Sequence, residues 1–441
     1  MSLEAEGNLR AIRFHYRPVR YLLTRWASRR RPSFALGPLG CLALEEVEPP
    51  ALPGPGWVRV ETTLSGICGS DLAAVTAHDS FTLEPFGAFP FTFGHENVGR
   101  IVETGPDTDG WSVGDRVIVN PMLSCVQRGL DPVCAACARG EYGLCRRTTD
   151  GAIGSGPMIG YHPAVGGGWS RSFVAHKSQL HRPGQLPDET AVLADPFVSA
   201  LRPVLLHPPM GGDGEREGGD GDDAGAAPAA GARRPGQGEP DTVLVIGAGT
   251  IGVLTVKALR LTGWRGPIAV LGRYGFQLEM AERAGATLLF RSRDEAYAWA
   301  ASLPGAKQYK PTLAPRFVEG GPSLVYDTVG TAGSAGDALA LTREGGRIVL
   351  VGAAAMLKAD WTRLWYRQLS LAGVFAYGLA PFRGARRDIY DVSIELMQQD
   401  GFGDLGLVTH EYQLEEYRAA ISAALDKAGH RSVKVVFRPG G

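Results

Sequence analysis

Val243-Leu244-Val245-Ile246-Gly247-Ala248-Gly249-Thr250-Ile251-Gly252 is the stretch from which the fold is read. Four consecutive apolar residues suit a strand buried on both faces, as in a parallel sheet. The Gly-x-Gly-x-x-Gly run that follows opens a helix with apolar positions at Ile251, Leu254, Ala258 and Leu261. Alone, such a glycine run is a weak signal. Between a strand and a helix it is a dinucleotide fingerprint, because glycine permits the tight turn and the helix N-terminus faces a pyrophosphate. Gly247, Gly249, Thr250, Ile251 and Gly252 are therefore the expected cofactor contacts.

Further apolar strands follow at Ile268–Leu271, Leu324–Tyr326, Arg347–Val351 and Leu369–Phe375. Strands alternating with helices imply a doubly wound α/β domain over residues 241–379. An acid is normally expected at the end of the second strand, about 20 residues past the glycines, to hold a ribose 2′-hydroxyl. That place holds Gly272, followed by Arg273 and Tyr274. The missing acid and the arginine predict that a 2′-phosphate is accepted, so NADP is expected over NAD, with NAD still possible.

Upstream, Gly66-Ile67-Cys68-Gly69-Ser70-Asp71 and Gly94-His95-Glu96 offer a thiol, a hydroxyl, an imidazole and a carboxylate. Thiolate, imidazole and carboxylate form a natural zinc shell, and three protein ligands leave the open position that a catalytic metal needs. The glycines at 66, 69 and 94 suggest close backbone packing. Val58–Thr62 alternates apolar and polar, reads as a half-buried strand and delivers the chain to Cys68. Between Cys68 and His95 lie Phe81, Phe86, Phe89, Phe91 and Phe93, which fit either core packing or an apolar substrate channel.

Four of the six cysteines, Cys125, Cys134, Cys137 and Cys145, fall within 21 residues. Four thiolates make a closed tetrahedral zinc site, which is structural. Eight residues separate Cys125 from Cys134, longer than in the zinc-dependent medium-chain alcohol dehydrogenases that this run resembles, which makes Cys125 the least certain ligand, although a loop closes at small entropic cost.

Together these motifs resemble the zinc-dependent medium-chain alcohol dehydrogenases, over roughly residues 9–206 and 241–438. The resemblance implies a GroES-like β-rich catalytic domain over 1–206, completed by 380–441, joined to a Rossmann domain with the active site in the cleft between them. It implies reversible oxidation of an alcohol to an aldehyde or ketone, zinc acting as Lewis acid and hydride passing to the nicotinamide. Cys68, Ser70, His95 and Glu96 match the catalytic set, with Ser70 as relay hydroxyl. Asp195 matches a carboxylate that approaches the metal in many relatives, and it equally suits a helix start before Pro196. Ala73 stands where many relatives carry a relay histidine, so the outer end of the relay is open. By the same resemblance a cytoplasmic homo-oligomer, dimer or tetramer, is expected.

Composition is ordinary for a globular chain: 44% apolar, 21% charged, net charge −1. Neither nucleic acid nor a membrane is an expected partner, and no apolar run reaches the roughly 18 residues needed to cross a bilayer. The segment from Asn8 to Leu44 has many arginines and no acid, and reads as a strand followed by a solvated basic helix over Tyr21–Arg31. Residues 207–240 hold ten glycines and five prolines but no Val, Ile or Leu, and are expected to be disordered. Two other functions fit the same motifs. One is an NAD-dependent polyol or amino-alcohol dehydrogenase. The other is a non-catalytic zinc and nucleotide-binding protein.

Overall fold

The computed structural model describes residues 8–210, 241–399 and 401–440. The chain divides into two compact units. One comprises Met1–Val198, Tyr377–Leu379 and Ile389–Gly441, the other Ser199–Ala376 and Ala380–Asp388.

The first unit is built on the long strand Trp57–Gly66, whose residues alternate between buried and partly exposed. Its neighbours are Asn97–Thr104, Ser172–His176 and Lys434–Phe437, all antiparallel to it. The sheet runs Val408–Tyr412, Lys434–Phe437, Trp57–Gly66, Asn97–Thr104, Arg116–Val119, Leu180–His181. Ser65 pairs with Asn97, and Gly66 with Val436. The end of one strand, the start of a second and the start of a third therefore meet at one place. A smaller sheet places Leu9–Phe14 between Leu42–Val47 and Phe91–Thr92. The N-terminal helix spans Pro18–Ser28, earlier than the expected Tyr21–Arg31, because Pro18 supplies a favourable first helical residue and Pro32 begins a separate 3-10 turn.

The second unit holds six parallel strands in the order Leu288–Phe290, Ile268–Leu271, Val243–Ile246, Leu324–Asp327, Arg347–Leu350, Ser370–Gly373. Numbered within this sheet the order is 3-2-1-4-5-6, the dinucleotide-binding arrangement. The expected strands are present; the last is shorter than Leu369–Phe375. Its core packs Leu244, Ile246, Val325 and Ile348 against Ala338 and Leu341 of the helix Ala332–Leu341.

Of the segment expected to be disordered, residues 211–240 lie outside the described residues. At its margins the Met210 N–H donates to Asp241 Oδ2 at 2.6 Å, and the Asp241 N–H donates to Met210 O at 2.8 Å.

Candidate active site and metal centres

Sheet register assembles the first site. The strand Trp57–Gly66 runs into Cys68, and Asn97–Thr104 begins just after Glu96. The Gly66 N–H donates to Glu96 O at 2.9 Å, which ties the two ends together. A ligand atom from each of Cys68, His95 and Glu96 lies within 4.8 Å of the others. His95 and Glu96 are buried; Cys68 is partly exposed. Gly66 is needed here, since a Cβ at that position would lie 1.9 Å from Glu96 Oε2. Gly94 has φ +101°, and a Cβ there would lie 2.5 Å from Trp169 N. Gly69 differs: it faces open space, so the close packing expected of it is absent.

Asp71 organises the trio. Its Oδ2 accepts the Cys68 N–H at 2.9 Å, capping the helix Gly69–Val75. Its Oδ1 accepts the Tyr161 hydroxyl at 2.7 Å and lies 3.3 Å from His95 Nδ1. With Nδ1 turned to a carboxylate, Nε2 is the nitrogen left for a metal, the usual arrangement for a ligating histidine. Burial would favour the neutral ring, but Asp71 outweighs it and holds His95 well above its ordinary value. Burial also pushes the Tyr161 hydroxyl up, and Asp71 adds to it. Tyr161 thus touches the carboxylate behind the histidine.

Lys434 was not legible as a site residue. It begins the strand that pairs beside Gly66, and its buried ammonium forms an ion pair with Glu96 Oε2. It also donates to Ile67 O at 3.1 Å. Burial would lower the lysine, but Glu96 raises it and keeps it protonated.

Asp195, expected as a further carboxylate at the metal, stands outside the 4.8 Å trio. Its Oδ1 accepts the hydroxyls of Tyr377 at 3.1 Å and Tyr390 at 2.5 Å. It lies in the first turn of the helix Ala194–Leu206, and its charge still acts on Glu96. The two tyrosines carried no signal in the sequence.

The aromatic segment divides. Phe91 and Phe93 are core, packed with Phe14, Tyr161 and Trp169. Phe81, Phe86 and Phe89 are exposed.

The four cysteines form the second centre, with one sulfur from each of Cys125, Cys134, Cys137 and Cys145 within 4.8 Å of the others. Cys125 belongs to the set: its sulfur lies 3.6 Å from that of Cys145 and accepts the Cys134 N–H at 3.3 Å. The intervening loop folds back through Arg128, which is wholly buried. Its guanidinium donates to Leu123 O at 3.0 Å, to Asp150 O at 3.1 Å and to the carbonyls of Gly154 and Gly156. Burial raises Cys137 and Cys145. At Cys134, burial is outweighed by N–H groups of Arg146 and Cys137, which bring the thiol down to about 6. Four gathered sulfurs without a disulfide suit one closed zinc.

In the second unit, the strand Val243–Ile246 turns at Gly247, φ +103°, where a Cβ would lie 2.6 Å from Thr328 Oγ1. A Cβ on Gly252 would lie 2.0 Å from Gly247 O. Gly249 caps the helix Thr250–Leu261, whose N-terminus suits an anion. Gly272 follows the second strand, and Arg273 is exposed with its guanidinium 5.6 Å from the Tyr274 ring. Arg291, after the third strand, has its guanidinium carbon 3.7 Å from where a Gly275 Cβ would be. It is a second cation at this strand end, which the sequence reading missed.

Residues 54–188 match the alcohol dehydrogenase GroES-like domain family, and residues 250–398 match the zinc-binding dehydrogenase family. The L-threonine 3-dehydrogenase of Paraburkholderia xenovorans is 23% identical over 87% of this chain and 92% of its own length. The sorbitol dehydrogenase of Bacillus subtilis is 26% identical over 87% and 90%. In fold, the chain is similar to a zinc-binding dehydrogenase from Sinorhizobium meliloti solved with NADP. That likeness has a TM-score of 0.66 at 22% identity, and covers 98% of this chain and 100% of that one. The chain belongs to the zinc-containing medium-chain alcohol dehydrogenase family, as a zinc-dependent NAD(P) oxidoreductase acting on the CH–OH group of alcohols or polyols.

Proposed function

We propose that the chain transfers hydride between a small alcohol and its aldehyde or ketone, with NADP(H) preferred over NAD(H). Cys68, His95 and Glu96 supply the donors to the catalytic zinc. The bound metal supplies a Lewis acid for the alcohol oxygen, and the nicotinamide accepts the hydride. The protein's own groups do the rest. Asp71 fixes the His95 ring and the Cys68 backbone, and Tyr161 fixes Asp71. Ser70 carries the proton away from the substrate. The Tyr161 hydroxyl, held on Asp71, is the group offered for the outer end of the relay that Ala73 leaves open.

The strand end at Gly272-Arg273 carries the cofactor assignment. No carboxylate stands there to repel a 2′-phosphate, and Arg273 and Arg291 offer charge-assisted bonds to it. The NAD-dependent polyol reading keeps one support, the sorbitol and threonine dehydrogenases among the relatives. Initial rates across a panel of simple alcohols, polyols and amino alcohols, each with NADP and NAD, decide between them. A higher kcat/KM with NAD throughout the panel overturns the NADP assignment.

A further inference from the structure

The oxidoreductase reading makes no use of the basic N-terminal helix. A surface helix ordinarily turns its apolar stripe inward. The helix Pro18–Ser28 does the reverse. Its buried residues are Tyr21, Thr24 and Ser28; Tyr21 packs in the core cluster, and all three also make polar contacts. Ser28 Oγ donates to Thr76 O at 2.7 Å, and Tyr21 bonds to Asp79. Arg25 donates to Ala77 O at 2.7 Å. Outward, at helical spacing, stand Val19, Leu22, Leu23 and Trp26, exposed by 72%, 57%, 45% and 67%.

A second exposed apolar group lies against the helix. The Phe81 ring lies 5.9 Å from that of Tyr21 and under the Arg25 guanidinium, and Leu83 beside it is exposed by 61%. Exposed arginines frame the helix: Arg17 and Arg20 near its start, Arg29, Arg30 and Arg31 just past its end. Glu84 on the neighbouring turn subtracts a single charge, and Asp79 is engaged by Tyr21. Net charge across the whole chain gave no reason to expect an anionic surface as partner; this local concentration does.

We propose that this face docks onto an anionic lipid surface, with Leu22, Leu23 and Trp26 entering the headgroup boundary and the arginines meeting lipid phosphates. Tryptophan and leucine on one face with arginine around them is the pattern of a helix lying in that interface. A second copy fits less well. A two-fold contact places the same patch against itself, arginine facing arginine.

The test is cosedimentation of the full zinc-loaded chain with vesicles. One set is phosphatidylcholine alone; the other contains about one phosphatidylglycerol in three. Binding is expected to the anionic set, at least about tenfold weaker to the neutral set and weakened by salt. Leu22→Ser with Trp26→Ser, and separately Arg29→Glu with Arg30→Glu and Arg31→Glu, are each expected to lose about tenfold or more in binding. Zinc content and kcat are expected to stay unchanged, which separates this result from any failure of the oxidoreductase reading. Three results overturn the proposal: no binding to either vesicle, binding unaffected by both variants, or a Leu22→Ser/Trp26→Ser variant that changes only the oligomer size seen by light scattering.

Discussion

The ammonium of Lys434 and the carboxylate of Glu96 form a buried ion pair beside the Cys68–His95–Glu96 trio. In the zinc-free protein, removing one partner of such a pair leaves the other buried without its counter-charge, which costs about 3–5 kcal/mol. Lys434→Met is therefore expected to lower stability to urea by roughly that amount. Adding Glu96→Gln removes the stranded charge, so the double variant should be more stable than Lys434→Met alone. Equal or additive losses would show that the pair is not coupled.

The two metal centres should respond differently to loss of a ligand. Cys68→Ala is expected to abolish turnover and one metal equivalent while leaving the fold intact. Cys137→Ser or Cys125→Ser should weaken folding itself, because structural zinc contributes on the order of 10 kcal/mol in small metal-dependent folds. Metal analysis with circular dichroism distinguishes the cases. An active wild-type protein free of zinc would sink the assignment.

His162 sets a pH dependence. Burial, aided by the Arg128 guanidinium, lowers it to about 4 from an ordinary 6.5. The folded protein keeps the ring neutral through that window while the unfolded chain takes up a proton. Stability is therefore expected to fall as pH drops from about 6.5 toward 4, by on the order of 3 kcal/mol in all. His162→Asn retains an acceptor for the Ala164 N–H and removes the titration. Urea titrations across this range should show a shallower slope in the variant, and parallel slopes would refute the assignment.

Cofactor choice should follow Arg273. A charge-assisted bond to the 2′-phosphate contributes about 1.5–3 kcal/mol, so wild type is expected to favour NADP by about ten- to hundredfold in kcat/KM. Arg273→Ala should remove most of this preference, and Arg291→Ala a smaller part of it. An acid placed at Gly272 is a poorer probe. A Cβ there would lie 2.7 Å from both Ala248 Cβ and Leu278 Cδ2, so the variant mixes strain with charge.

Deletion of residues 211–238 is expected to leave kcat and fold unchanged. Met210 and Asp241 hydrogen-bond to each other, so a short Gly-Ser link has little distance to cross. Halving a flexible loop changes closure entropy by only about 0.6 kcal/mol. A large drop in kcat with the circular dichroism spectrum intact would assign the segment a role.

The sequence by itself determined the architecture and named candidate ligands. Strand, glycine turn and helix are local signals, and at Val243–Gly252 they agree, so the parallel order of that unit followed. Cysteine spacing likewise marked the closed zinc centre, and Cys68 with His95-Glu96 marked the open one. Tertiary structure alone decided what stands behind those ligands. Lys434 reaches Glu96, Tyr161 reaches Asp71, and Tyr377 and Tyr390 hold Asp195, because strands and helices distant in sequence become neighbours. No periodicity or spacing encodes such pairs. The same limit applies to the helix Pro18–Ser28. Spacing can show that a helix has an apolar face; only the hydrogen bonds of Tyr21, Arg25 and Ser28 to neighbouring segments fix which face turns outward.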